Sequence, residues 1–295
     1  MRVFVTGATG FIGSVVVEDL LRTGHQVLGM SRSDEGAKAL AAAGAEVHRG
    51  TLEDLESLRR GASNCDGVIH LAFNHDFSRY AENCETDRRV IEAMGGVLAG
   101  SNRPLIVTSG TAILTPGRAG TEDDPCATMV PRAASEIATE GLASRGIRTS
   151  IVRLAPSVHD REKMGLITPL IDIAREKGVS AYVGDGLNRW SAVHRLDAAH
   201  LYTLVLEKGS AGARYHGVAE EGVPLRDIAT AIGRGLKVPV VSMSPEQAAG
   251  HFGWLAMFMG ADVPTSSAKT RERLGWRPSH VGLLSDLEKA HAFEK

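Results

Sequence analysis

The sequence predicts an α/β fold built on a doubly wound parallel sheet. Three observations carry this. Short β-branched runs alternate with helical patterns through the first half of the chain, those runs are nearly all apolar, and a glycine-rich turn joins the first run to the first helix. Strands that are apolar throughout are covered on both faces, which crossover helices on a parallel sheet provide.

The elements follow in order. RVFVTG (2–7) reads as a strand, and FIGSVVVEDLLRTG as a helix in which Ile12, Val16 and Leu20 recur at helical spacing and Gly24 can cap the end. HQVLGMSR (25–32) is a second strand, GAKALAAAG a helix, EVHRG a third strand and LEDLESLRR a helix. GVIHLAF (67–73) is the fourth strand, followed by a long polar helix over 77–98 and the strand PLIVTSG (104–110). PRAASEIATE opens a helix over 131–145, where Pro131 suits a first turn because its missing N–H would be unpaired there. RTSIVRLA (148–155) is the sixth strand. Beyond it the regularity loosens: ITPLIDIAREKG, LDAAHLYTLVLEKG, PLRDIATAIGRGL, AAGHFGWLAMFMG and LLSDLEKAHAF are helical, while ARYHGVAE and VPVVSMS are strands.

Bulk properties narrow the classes. A chain of 295 residues suits one large domain or two unequal ones. Hydrophobic and charged contents of 43% and 23% are those of a soluble globular protein, and a formal net charge of −2 argues for neither a nucleic-acid nor a membrane partner. The strand that starts at residue 2 leaves no room for a signal peptide, and no run approaches the ~18–20 apolar residues of a membrane span. Cys65, Cys84 and Cys126 are odd in number and unclustered, so neither a disulfide framework nor a zinc site is expected, and the cytoplasm is the expected compartment. The histidines show no paired metal spacing.

TGATGFIG places Gly7, Gly10 and Gly13 between the first strand and its helix, with Thr9, Phe11 and Ile12 completing the loop. A dinucleotide pyrophosphate needs a tight turn, a close backbone approach and free helix N–H groups, and this arrangement supplies all three. The second strand ends in SRS, with Arg32 between Ser31 and Ser33 and no carboxylate at the position that would bind an NAD ribose. Arginine has the charge and fork geometry for a 2′-phosphate, so NADP(H) is the expected cofactor, the alternative being a solvated surface Arg32.

Taken together, TGATGFIG, VIHLA, LIVTSGTA, RLAPSV, AVHRLDAA and KTRERLGWRP resemble the extended short-chain dehydrogenase/reductase superfamily, in an atypical form. The resemblance implies a Rossmann domain of residues 1–156 with about 186–221, and a substrate domain of about 157–185 with 222–295. It implies further cofactor contacts at Leu52, Leu71, Ala72, Thr108, Leu154, Pro156, Ser157 and Val158, and a possible homodimer through the helices at 77–98 and 131–145. It also implies hydride transfer assisted by a Ser or Thr and by a Tyr and a Lys spaced YxxxK on the helix after strand five.

On that helix the two positions are matched to Arg132 and Glu136, four apart and on one face. Three readings follow. Arg132 polarises a carbonyl or imine as a fixed charge while Glu136 orients it or bonds a ribose hydroxyl; the protein binds NADP(H) without turnover; or the two form an ordinary surface ion pair.

Ser109 and Thr111 compete for the hydroxyl position, either facing substrate or satisfying loop backbone. His70 reads as a packed strand histidine. Asn74, His75 and Tyr80 follow strand four and are expected beside the substrate, where His75 or Tyr80 is a possible proton source, unless the loop is simply solvated. Trp190 and His194 form either a pocket wall or core packing. Phe252, Trp254, Leu255, Phe258 and Met259 form either core or an apolar substrate lid. The expected function is an NADPH-dependent oxidoreductase acting on a small carbonyl or imine. The alternatives are an epimerase/dehydratase-like enzyme acting on nucleotide sugars, or a non-catalytic NADP(H)-sensing protein.

Overall fold

A computed structural model describes residues 1–114 and 117–294. The first lobe contains β1 (Arg2–Thr6), α1 (Gly13–Arg22), β2 (Gln26–Ser31), α2 (Asp34–Ala42), β3 (Glu46–Arg49), α3 (Leu55–Ser63), β4 (Gly67–His70), α4 (Tyr80–Leu98), β5 (Leu105–Gly110), α5 (Ala133–Ser144) and β6 (Thr149–Leu154). There follow β7 (Ser157–His159), α6 (Ile167–Lys177), β8 (Ser180–Val183), β9 (Arg189–His194), α7 (Arg195–Lys208), β10 (Arg214–Gly217), β11 (Glu220–Pro224) and α8 (Leu225–Leu236). The chain continues with β12 (Val240–Met243), α9 (Pro245–Phe252), the short α10 (Ala256–Met259), α11 (Ala268–Leu274) and α12 (Leu283–Leu287).

Seven strands form one parallel sheet in the order β10-β6-β5-β4-β1-β2-β3. The winding reverses between β1 and β4, which opens a crevice at their carboxyl ends where ligands of such sheets bind. Apolar side chains cover both faces: Val3, Val5, Ile69 and Ile106 meet α1 and α7 on one, while Phe4, Val68, Leu105 and Val107 meet α3, α4 and α5 on the other. The near-continuous apolar strands of the sequence correspond to this double burial. No helix among the described residues is long and apolar enough to cross a membrane.

A smaller lobe has its own core, in which Ile167, Ile171, Trp190, Val223, Ile228, Phe252, Leu255 and Leu283 pack together. Its sheets are short: β11-β9-β7 and β12-β8. Trp190 and Ala192 of β9 belong to this core, although the sequence grouped their segment with the cofactor domain. The strands β7, β8, β9 and β11 were not expected from the sequence; each has six residues or fewer.

One internal ion pair anchors α5 to the sheet. Glu136 and Arg153 of β6 are both fully buried, and Arg153 Nε and Nη2 donate to the two carboxylate oxygens at 2.9 and 2.7 Å. Arg153 Nη1 also donates to the Asp124 carbonyl at 2.8 Å. Glu136 is therefore placed inside the α5–β6 interface, away from the crevice, and it does not meet Arg132. A buried guanidinium requires a carboxylate, and Glu136 is the one that α5 offers it. Glu136→Gln is expected to cost about 3 kcal/mol or more of folding stability. Turnover per folded molecule should stay near wild type, and the joint replacement Glu136→Met with Arg153→Met should recover much of the loss; denaturant midpoints and active-site-normalised rates check both.

Candidate active site

The glycine turn begins at the end of β1. Gly7 has φ +68°, and a Cβ there would lie 2.7 Å from the Ala72 backbone nitrogen. A Cβ on Gly13 would lie 1.9 Å from the Gly7 carbonyl oxygen, so the helix packs against the turn only because that atom is missing. No side chain caps the N-terminus of α1. Its first-turn N–H groups and the positive end of its dipole face the crevice, an arrangement that accepts a pyrophosphate.

Around this turn the other expected cofactor residues are distributed as follows. Ser31 is buried and donates to the Ser33 carbonyl, and the Ser33 hydroxyl caps α2 by accepting from Gly36 N at 3.1 Å. Arg32 is exposed at the end of β2. The nearby carboxylate of Asp34 accepts from Arg49 at 2.7 Å. Thr9 is exposed, whereas Phe11, Ile12, Leu52, Leu71 and Ala72 are half-buried. The Arg195 guanidinium stacks 4.9 Å from the Phe11 ring, and the Lys163 ammonium lies 5.9 Å from it. Both residues come from beyond β6 and were not singled out by the sequence. Leu154, Ser157 and Val158 are buried where β6 passes into β7, with Pro156 half-buried between them. The Ser157 Oγ has no hydrogen-bond partner.

The expected catalytic residues are less uniform. Thr108 of β5 donates its hydroxyl hydrogen to the His70 carbonyl at 2.8 Å, and its Oγ1 lies 2.7 Å from the Tyr202 hydroxyl. Ser109 is buried and its Oγ has no partner, whereas the Thr111 Oγ1 bonds the Ser191 Oγ at 3.2 Å. The two hydroxyls that the sequence could not separate thus differ: Thr111 is engaged with β9, and Ser109 carries the unspent hydrogen-bonding capacity.

Arg132 is the N-cap residue of α5, where a cation opposes the positive end of the helix dipole. A buried carboxylate, Asp87 of α4, offsets this. Arg132 Nη1 donates to Asp87 Oδ2 at 2.6 Å and to the Ser135 Oγ at 2.8 Å, and Nη2 donates to the Thr108 carbonyl at 2.8 Å. Ser135 donates its hydroxyl to the same Asp87 oxygen, and the His70 Nε2 lies 2.9 Å from Oδ1. The His70 Nδ1 is 2.6 Å from the Thr6 Oγ1, which carries the chain of bonds to the residue before Gly7. Burial alone would raise the Asp87 carboxyl; the Arg132 guanidinium, His70 and Ser135 outweigh it and hold the group well below the usual carboxylate range. Asp87 was not singled out by the sequence, because Arg132 and Ser135 lie 45 and 48 residues away, while His70, expected as a packed strand histidine, is buried as such.

Of five N–H donors on Arg132, two have no protein acceptor among these bonds. Its guanidinium stacks 4.1 Å from the centre of the Phe73 ring. Phe73 in turn meets His75 edge-on at 5.2 Å and Tyr80 at 6.4 Å, so these two candidates do flank the Arg132 cation. His75 is open to solvent at the lip of the crevice. The protein around it, and then the cations of Arg132 and Lys163, hold its imidazole below the ordinary value. Burial, followed by the neighbouring Cys84, pushes the Tyr80 phenol up to about 12, which makes it a weak proton donor at neutral pH.

Three expected substrate residues have other engagements. The Asn74 Oδ1 accepts from the Asp76 N–H at 3.1 Å, closing a local turn. Trp190 is buried in the smaller lobe, because β9 alternation turns it inward beside Val263. His194 caps α7 by accepting from Leu196 N at 3.2 Å and stacks on His280 with ring centres 4.6 Å apart.

Asp87→Asn removes the charge that fixes Arg132 and leaves a guanidinium nearly buried without a counter-ion. The variant is expected to lose about 3 kcal/mol of stability, measured by denaturant unfolding, while Glu82→Gln on the exposed face of the same helix should change it by less than about 1 kcal/mol.

Comparisons with known proteins agree with this architecture. A family model described as the NAD dependent epimerase/dehydratase family matches residues 3–218. The chain is 53% identical to an uncharacterized protein of Schizosaccharomyces pombe, over 97% of this chain and 98% of the relative. It is 27% identical to the 4-hydroxy-2-methyl-3-oxo-4-farnesyl-3,4-dihydroquinoline-1-oxide ketoreductase of Stigmatella aurantiaca, over 98% of this chain and 96% of that protein. Among solved structures, the Thermus thermophilus UDP-glucose 4-epimerase in complex with NAD superposes with a TM-score of 0.77 at 21% identity, covering 100% of this chain and 99% of the other. With a match across most of its length and the parallel sheet and glycine turn already described, the chain belongs to the NAD dependent epimerase/dehydratase family.

Proposed function

We propose that the protein is an NADPH-dependent reductase of carbonyl or imine compounds in which Arg132 serves as the electrostatic centre of the site. The observation that carries this reading is the Arg132 guanidinium, fixed by Asp87 and the Thr108 carbonyl at the end of β5 with two N–H groups to spare.

The residues present fit the cofactor: backbone packs on backbone at Gly7 and Gly13, where no Cβ fits, so the turn is tight; the α1 N-terminus is uncapped, and the Ser157 hydroxyl is buried without a partner. Gly7 to Gly13 would hold the pyrophosphate, Arg32 the 2′-phosphate, and Leu71, Ala72 and the Leu154–Val158 segment the nicotinamide half. NADPH, when bound there, supplies a hydride to the substrate carbon. Reduction of a carbonyl would place negative charge on its oxygen. Arg132 stabilises the developing negative charge as a fixed cation, without giving up a proton. Ser109 donates a hydrogen bond to the same oxygen, and water at the open lip by His75 delivers the proton that completes the alcohol.

The match of Arg132 to the tyrosine and Glu136 to the lysine is replaced here by one that puts Arg132 in the place of the lysine. With Glu136 inside the interface, the cation of α5 nearest the strand ends is Arg132, and the position four residues earlier, that of the tyrosine, is Thr128. A threonine hydroxyl can hydrogen-bond an oxygen but does not ionise near neutral pH, which leaves proton delivery to solvent.

Purified protein should oxidise NADPH in the presence of a panel of aldehydes, ketones and cyclic imines, and tight NADPH binding without turnover on any of them would overturn the reading. Arg132→Ala is expected to lower kcat by about 100-fold or more, with the NADPH dissociation constant within a few-fold of wild type. Arg32→Ala should weaken NADPH by tenfold or more, in the range of about 1.5–3 kcal/mol for a hydrogen bond to a charged group, and leave NADH nearly unchanged; equal losses for the two cofactors, measured by titration, would remove Arg32 from the 2′-phosphate.

A further inference from the structure

Between Arg132 and the smaller lobe runs an unbroken series of aromatic rings. Phe73 lies under the guanidinium. Tyr80 meets both Phe73 and Phe77, the latter at 5.4 Å. Phe77 stacks on Trp254 with ring centres 4.2 Å apart and planes 11° from parallel. Phe258 packs edge-on against both, at 6.5 and 6.3 Å. Segment 73–80 and the α9–α10 turn therefore join into one wall. Large apolar side chains of the α9–α10 turn stay open to solvent: Trp254 is 43% exposed and Met257 67%. Exposed groups of this size next to a crevice mark a binding surface.

The polar side chains of the same segments are turned to other uses. The Asp76 Oδ1 accepts from the Ser78 N–H and hydroxyl, Arg79 pairs with Glu82, and the Asn83 Nδ2 donates to the Asp76 carbonyl. On the smaller lobe, the Asn188 Nδ2 donates to the carbonyls of Met259 and Ala261, and Arg189 is paired with Asp262. A site that recognises hydroxyl groups presents unspent donors and acceptors to them. Here those groups are already engaged, so that, His75 and Tyr80 apart, ring faces and thioethers remain.

We infer that the site takes an aromatic aldehyde or ketone, its ring laid along the Phe73–Phe77–Trp254 wall and its carbonyl oxygen toward Arg132. This rests on the reductase reading above and narrows its substrate class from any small carbonyl to a flat apolar one. Trp254 is a specificity residue: it touches the part of the substrate that does not react.

Two measurements test this, and they separate it from the reductase reading. With NADPH as donor, benzaldehyde should show a kcat/KM about tenfold or more above that of glyceraldehyde, and Trp254→Ser should erase most of that difference by lowering the benzaldehyde value. Glyceraldehyde turned over as well as benzaldehyde, or a Trp254→Ser loss equal for both, would overturn the inference. If no aldehyde is turned over, the reductase reading fails, and binding still decides the wall. Trp190 and Trp276 are buried, so acrylamide quenching of tryptophan emission reports chiefly on Trp254. In the complex with NADP+, benzamide, an unreactive aromatic carbonyl, should shield that emission saturably and glycolamide should not. No shielding by benzamide, or equal shielding by glycolamide, would overturn the inference.

Discussion

The carboxyl end of the sheet is arranged around one buried carboxylate. Asp87 reaches His70 with one oxygen and Arg132 and Ser135 with the other, and through His70 it is tied to Thr6, the residue before the glycine turn. Arg132 extends the same network to the Thr108 carbonyl at the end of β5. Three strand ends and two helices are thus held at fixed spacing by groups that pair with one another, with two Arg132 N–H groups left over. A buried charge is costly alone, but in a low-dielectric network whose members are all paired each bond is strengthened by its neighbours. The position of the cation proposed to act on substrate is consequently set by residues that never touch it.

Two buried ion pairs grip α5 for different purposes. Glu136 with Arg153 holds the first turn of the helix to β6 and has no access to the crevice. Arg132 with Asp87 holds its N-cap to α4 and leaves part of the guanidinium facing outward. Four residues apart on one helix, the two charged side chains serve opposite ends of the same problem, one burying its charge completely and the other presenting it.

Much of the fold was legible in the sequence because it is written locally. Apolar runs such as VFV and VIH with intervening helical periodicity give the parallel sheet, and Gly7, Gly10 and Gly13 give the turn within seven residues. The short strands β7, β8 and β11 were not legible: they lie past residue 155, where the alternation of apolar runs and helical patterns loosens. The site was legible in place but not in wiring. Helical spacing puts Arg132 and Glu136 near each other, yet it does not say that Asp87 and Arg153 stand closer in space and supply the opposite charges. Likewise, Ser109 and Thr111 are equivalent hydroxyls in the sequence until Ser191, eighty residues away, claims one of them. For Trp190 the sequence leaves a pocket wall and core packing equally open, and its burial in the core of the smaller lobe decides for the second.

The mutual hydrogen bonding within residues 74–83 has a consequence for the speed and cost of binding. A loop whose polar groups wait for a ligand is mobile beforehand, and ordering each of its side chains consumes about 0.5–1.5 kcal/mol of the contact energy. Here the turn at Asn74 and Asp76 and the bond from Asn83 to the Asp76 carbonyl are complete within the chain itself. The surface is therefore formed in advance, and complexes of differing affinity should share similar association rates and differ in how long the ligand stays.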